Sequence, residues 1–178
     1  MPRRSLRSTA IFACTLALTV ASFAQGSKPV ASPPETATVT LNGHPVTIKY
    51  GAPSMRGRKI MGEVVPYDKV WRTGANTATS FTTDDTLKIG GTLVPAGSYT
   101  LYTLPSPTRW LLIISKQTGQ WGTEYHQEQD LARIPLQSKK IDSPQEKMSI
   151  SFENTTGNIT ELHIRWENTD EYIPVIAQ

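Results

Sequence analysis

The chain has 178 residues, 18 Lys and Arg against 15 Asp and Glu, and one cysteine. Arg3, Arg4 and Arg7 stand at the start, and without them 15 cations face 15 carboxylates, so there is no global basic field for nucleic acid or an anionic membrane surface. Beyond Cys14 neither a disulfide framework nor a thiolate nucleophile is available, and stability has to come from a hydrophobic core.

Residues 1–24 run from MPRRSLR through an apolar stretch, about Thr9 to Ala21, to Ser22-Phe23-Ala24, the order of a secretory signal peptide. Export to the periplasm or the cell exterior is expected, with cleavage near Ala24. The apolar run is shorter than the roughly 20 residues of a spanning helix, so stable membrane insertion is not expected. Cys14 lies in the middle of that run and reads as an ordinary residue of the discarded segment rather than a lipidation site. Residues 25–35, QGSKPVASPPE, are rich in Pro and Ser and read as a flexible leader. The remainder, 36–178, is long enough for one domain and too short for two stable ones.

From Thr36 the chain alternates apolar and polar residues, turns at Asn42-Gly43 and alternates again through Tyr50, which predicts a hairpin because Asn-Gly tolerates positive φ. Further strands are predicted at 79–83, 86–94 with a Gly-Gly turn, 98–104, 109–115, 147–153, 160–166 and 172–176. The 109–115 segment, RWLLIIS, is apolar on both alternating faces and is expected to lie inside a sheet. Residues 120–133 predict a short helix or an ordered loop. Strands at this spacing predict an all-β protein: a single antiparallel β-sandwich, jelly-roll-like or Ig-like, with at most one or two short helices.

A set of short words recurs in order: Tyr50-Gly51-Ala52-Pro53, Gly57-Arg58-Lys59-Ile60, Val65-Pro66-Tyr67, Val70-Trp71-Arg72-Thr73-Gly74-Ala75-Asn76, Pro95-Ala96-Gly97-Ser98-Tyr99, and Trp121-Gly122 followed by Asp130-Leu131-Ala132-Arg133. Together they resemble a bacterial family known as domain of unknown function 2911, over roughly residues 36–176. The resemblance implies a secreted, β-rich domain and no assigned chemistry. It also implies a Glu at the position of Thr77 in many members, so any chemistry resting on that carboxylate would be absent here.

Two readings compete for the Trp-Arg loop. Trp71 could offer a stacking face, Arg72 a bidentate donor for a carboxylate or phosphate, and Asn76 an orienting amide. Alternatively Trp71 plugs the sandwich, Arg72 pairs internally, and Gly74 and Asn76 only make the turn. Arg58 belongs to the cation run Arg56-Gly57-Arg58-Lys59, which is either an anion site or a solvated loop. Tyr102 and Trp121 complete the candidate ligand-binding set of Arg58, Trp71, Arg72, Asn76, Tyr102 and Trp121.

For acid-base work the sequence offers His126, Glu124 and Asp130 as candidates, and their spacing assigns no roles, because Asp130 and Arg133 also fit a simple ion pair. His44, His126 and His163 are too scattered for a metal site, and alternation places His163 in solvent beside Glu161 and Arg165. No nucleophile elbow surrounds Ser54, Ser80 or Ser98. Neither cofactor nor metal is expected, and the sequence sets no oligomeric state. The reading it favours is a binding module for a polar small molecule, glycan or peptide. An envelope scaffold ranks second, and a hydrolase or isomerase acting on a sugar-like or carboxylated substrate third.

Overall fold

The Asn42-Gly43 turn has φ values of 50° and 83°, the left-handed pair that a two-residue hairpin requires. It joins β1 (Pro34–Leu41) to β2 (His44–Gly51) in unbroken register from Leu41↔His44 to Pro34↔Gly51. The computed structural model describes residues 31–178, so the expected signal peptide and most of the leader lie outside the described residues. The first strand begins at Pro34, two residues before the expected domain start.

Eight further strands follow: β3 (Thr79–Thr83), β4 (Leu87–Ile89), β5 (Thr92–Val94), β6 (Gly97–Leu104), β7 (Leu111–Ser115), β8 (Asp130–Pro135), β9 (Gln137–Thr156) and β10 (Ile159–Ala177). They form two antiparallel sheets, ordered β1-β2-β3-β6-β7-β8 and β5-β4-β10-β9. This is the all-β sandwich that the sequence predicts. Alternation builds its core: Leu41, Ile48, Phe81, Leu101, Leu112 and Ile114 of the first sheet join Leu87, Ile89, Ile150, Leu162, Ile164, Ile173 and Val175 of the second in one buried cluster. Ile113 is buried outside that cluster, on the sheet's other face, which explains why β7 reads as apolar throughout.

The last third departs from expectation. In place of three short strands there are two long ones, β9 and β10, with bulges near Ile159, Arg165 and Glu167. Glu167 takes φ 54° within β10, so the chain turns a corner without ending the strand. The segment 120–133 contains one 3-10 turn, Gln127–Gln129, and then enters β8. β8 and the first half of β9 escape sequence reading because both are edge strands, and SKKIDSPQEK carries the Lys and Pro that keep edges from pairing with other chains.

Glu167 also anchors the 60–70 loop, its two carboxylate oxygens accepting hydrogen bonds from the backbone N–H of Ile60 (3.2 Å) and Met61 (3.0 Å). Glu167→Ala leaves both donors unpartnered and is expected to cost about 2 kcal/mol in thermal unfolding. A loss below about 0.5 kcal/mol would show that the loop does not depend on this anchor.

Candidate functional site

The Trp-Arg loop leaves β2 and the 51–70 loops and returns to the sheet at β3. Trp71 starts it with a two-way backbone bridge to Thr103 of β6, at 2.8 and 2.9 Å. Thr73 and Asn76 then adopt φ 52° and 66°. For a β-branched residue this left-handed conformation costs on the order of 1–3 kcal/mol, and it persists only where the surroundings enforce it. They do: the Thr73 hydroxyl reaches Thr103 Oγ1 at 3.1 Å, Thr79 Oγ1 donates to the Thr73 carbonyl at 2.9 Å, and the Ala75 N–H donates to the Gly51 carbonyl at 3.1 Å. Gly51 sits so close that a Cβ there would stand 2.3 Å from the Ala75 carbonyl oxygen. The loop is pinned backbone to backbone.

Trp71 is only 9% exposed, stacked on Trp166 at 6.0 Å and 19° and edge-on to Trp110 at 6.3 Å. Its rings serve the core, and its edge reaches the surface. Arg72 behaves differently. Its stem lies across the backbone of Gly122, where a Cβ would come within 2.3 Å of Arg72 Cδ and 2.7 Å of the Asn76 carbonyl oxygen. Its Nε is buried without a hydrogen-bond partner, and no carboxylate among the described residues pairs with the guanidinium. Arg72 is thus half-buried, with its stem packed, its Nε desolvated and no carboxylate beside it, an arrangement in which the guanidinium's hydrogen-bonding capacity is left unused by the protein.

Two clefts flank Arg72. One, of about 280 Å³, is walled by Arg58, Trp71, Arg72, Asn76 and Trp166. The other, of about 270 Å³, is walled by Lys69, Trp71, Arg72, Tyr102 and Tyr125. The fold thus gathers four of the other five ligand-binding candidates around Arg72. Arg58 is exposed, and its guanidinium is oriented by the carbonyls of Met55 (2.9 Å) and Ser54 (2.8 Å). Asn76 Nδ2 donates to the Ser32 carbonyl at 3.4 Å. Tyr102 donates to the Glu124 carbonyl at 2.7 Å, and burial raises its pKa, so it stays a neutral phenol. Trp121 lines neither cleft and is 52% exposed, although its backbone bridges to Thr77. Lys69 was missed by sequence reading, though it stands two residues before Trp71 and its charge was visible there.

A broader trough of about 590 Å³ crosses the outer face of the six-stranded sheet. Thr36, Lys49, Ser80 and Thr100 face one another in register across β1, β2, β3 and β6 along its floor. Gln120 stands at its wall, its amide donating to Thr100 Oγ1 at 3.1 Å and to the Tyr102 hydroxyl at 2.8 Å. Ser32, Ala75 and Asn76 line both the trough and the Arg58-Arg72 cleft. The two concavities therefore adjoin at the Trp-Arg loop.

Two of the acid-base candidates meet the second cleft only from behind its wall, Glu124 through its carbonyl to Tyr102 and Asp130 through its carboxylate to Tyr125. His126 is exposed, 3.2 Å from Glu128, and the Glu124 side chain is exposed. Asp130 Oδ2 accepts hydrogen bonds from Tyr125 at 2.6 Å and Arg133 at 2.8 Å. Burial first, and the hydrogen bond to Asp130 next, push the Tyr125 phenol up to about 12. None of His126, Glu124 and Asp130 lines either cleft.

His163 requires a correction. Expected in solvent, it is 5% exposed, with Nδ1 2.8 Å from Asp170, its ring stacked on Tyr172 at 5.2 Å, and Nε2 3.4 Å from Glu161. The corner in β10 folds Asp170 and Tyr172 back over it, which alternation on a straight strand cannot anticipate. Arg165 closes the group, pairing with Glu153 through Nη1 and Nη2 and with Asp170 through Nε at 2.9 Å, and it holds the Glu153 carboxyl down to about 2. Among the described residues no group of three or more His, Asp or Glu is arranged to hold a metal ion.

These features define an antiparallel β-sandwich domain with a rigid cation-bearing loop at the surface. The chain belongs to the family described as "Protein of unknown function (DUF2911)", whose model matches residues 32–175. No curated protein matches the chain, and no solved structure matches it.

Proposed function

We propose that this is a binding module whose ligand is a polar small molecule or glycan fragment carrying a carboxylate or phosphate, with the anionic group held by Arg72. The observation that carries this reading is the charge of the clefts: their described linings hold Arg58, Lys69 and Arg72 and no Asp, Glu or His. Unopposed cations on low-dielectric walls favour an anion, and a guanidinium meets a carboxylate or phosphate in bidentate fashion. The adjoining trough, with its in-register hydroxyls and the Gln120 amide, supplies donors and acceptors suited to the hydroxyl groups of the same ligand. The order of residues 1–24 supports export, so the ligand would be met in the periplasm or outside the cell.

The test is a thermal-shift and titration screen of uronic acids, sugar phosphates and small organic acids against their neutral counterparts. Acidic members should stabilise the wild type, and Arg72→Ala should weaken them by roughly 30-fold, about 2 kcal/mol of charge-assisted hydrogen bonding. Arg72→Lys, which keeps the charge but loses the fork, should restore only part of the affinity. If acidic and neutral compounds act alike, or if Arg72→Ala binds as the wild type does, the reading is wrong.

A further inference from the structure

Glu171 poses a separate problem. Beyond the corner in β10 the register is Thr169↔Lys140, Asp170↔Lys139 and Glu171↔Ser138. Alternation then puts Glu171 on the side of Ile173, toward the interior, and Ser138 and Lys140 on the same face of β9. Glu171 is 2% exposed, and both its carboxylate oxygens lie 2.7 Å from one hydroxyl, that of Ser138. A hydroxyl has one proton, so one carboxylate oxygen has no donor. Neither Lys139 nor Lys140 forms an ion pair among the described residues, and nor does Glu171. Burial, opposed by the Ser138 hydroxyl and reinforced by neighbouring Asp170, raises the Glu171 carboxyl to about 7.

Buried carboxylates are ordinarily paired, because an unpaired one costs several kcal/mol. Glu171 instead lines a cavity of about 330 Å³, together with Tyr67, Trp110, Ser138, Lys140 and Thr169. That volume lies at the lower end of the range, from about 300 Å³ upward, that takes small molecules. The charged and titratable residues on this face are Lys140 from β9, Glu171 from β10 and Tyr67 from the 60–70 loop; Lys139 also lines the cavity, but alternation turns its side chain to the opposite face with Asp170, and the 105–110 loop contributes Ser106, Pro107, Thr108 and Trp110. Lys140 is the diagonal neighbour of Glu171 across the strand pair, a spacing of about 7 Å between Cβ atoms. A carboxylate short of a donor and a lysine without an ion-pair partner thus line one small space, diagonal to each other on the same face of the strand pair.

We propose that this cavity is a second ligand site, distinct from the Arg72 clefts, that takes a zwitterion of the amino-acid type. The ligand's ammonium is held by Glu171, its carboxylate is directed to Lys140, and its side chain lies between Tyr67 and Trp110. A ligand carrying both charges supplies the two missing partners at once, which an amine or an acid alone cannot do.

The experiment uses the purified protein and the free amino acids, each paired with its N-acetyl derivative, which lacks the ammonium, and its amide, which lacks the carboxylate. At least one free amino acid should raise Tm and bind in calorimetry, with the acetyl and amide forms each about tenfold weaker or more. Glu171→Gln should remove the preference for the free ammonium, and Lys140→Ala the preference for the free carboxylate. At pH 6 the binding heat should report proton release by wild type, which Glu171→Gln abolishes. Arg72→Ala should change none of these results, so failure of the Arg72 reading and failure of this one are separable. Glu171→Gln puts a neutral amide in the same shape, and circular dichroism will check that it folds. If no amino acid binds, or if binding survives Glu171→Gln with its ammonium preference intact, the proposal is overturned.

Discussion

Trp71→Ala is expected to lower unfolding stability by about 4 kcal/mol, the cost of removing a buried large aromatic side chain and leaving a cavity. For a domain of this size that is a fall in Tm on the order of 10 °C. The size follows from position: Trp71 is stacked on Trp166 and meets Trp110 at its edge, so its removal exposes two other indoles as well as its own site. Arg72→Ala, one residue along, should cost far less, since its guanidinium has no protein carboxylate to lose and its Nε is already without a partner. Chemical denaturation of the two variants side by side makes the comparison. A Trp71→Ala protein that keeps its stability but loses ligand would reverse the assignment and make the indole a recognition surface. The expected outcome splits the Trp-Arg pair into an anchor and a donor, combining the two readings that compete in the sequence.

The second large effect depends on pH. The Glu171 carboxyl rises from an ordinary 4.5 in the unfolded chain to about 7 in the folded protein, so the folded state holds its proton more tightly. Below about 4.5 the group is protonated in both states and carries no penalty. Between about 4.5 and 7 the unfolded state loses its proton first, and stability falls as pH rises. Above about 7 the full penalty is present, roughly 3 kcal/mol at about 1.4 kcal/mol per pH unit. Glu171→Gln removes it. The variant should therefore gain roughly 3 kcal/mol over wild type between pH 4 and pH 8, read from paired denaturation curves at each pH. Equal differences at the two pH values would mean that Glu171 ionises freely in the folded protein. A residue that costs this much where a neutral side chain would fit fits the view that stability is given up at binding sites.

Much of the fold was legible, and the particular residues show why. The β1–β2 hairpin could be read because everything that determines it is local: alternation on both sides and an Asn-Gly turn whose φ preference is intrinsic. The central position of β7 could be read because burial on both faces leaves an apolar run. β8 and the first half of β9 could not, because edge strands are held by backbone pairing to one neighbour and carry Lys, Pro and Gln that read as loop. The Trp-Arg loop stood out by composition alone, yet nothing in its residues separated the buried role of Trp71 from the surface role of Arg72.

The chain by itself determined the all-β class, the family and the shortlist of cation and aromatic side chains, since these rest on periodicity, turn chemistry and words of a few residues. The tertiary structure decided which of those side chains meet. Gly122 lies against Arg72 across some fifty residues of sequence, and Glu171 meets Ser138 across 33. The corner at Glu167 carries Asp170 back onto His163 and sets the register that places Glu171 opposite Ser138. Contacts of this kind depend on sheet order, bulges and the packing of two sheets, which are set by the free energy of the whole core and not by any local segment.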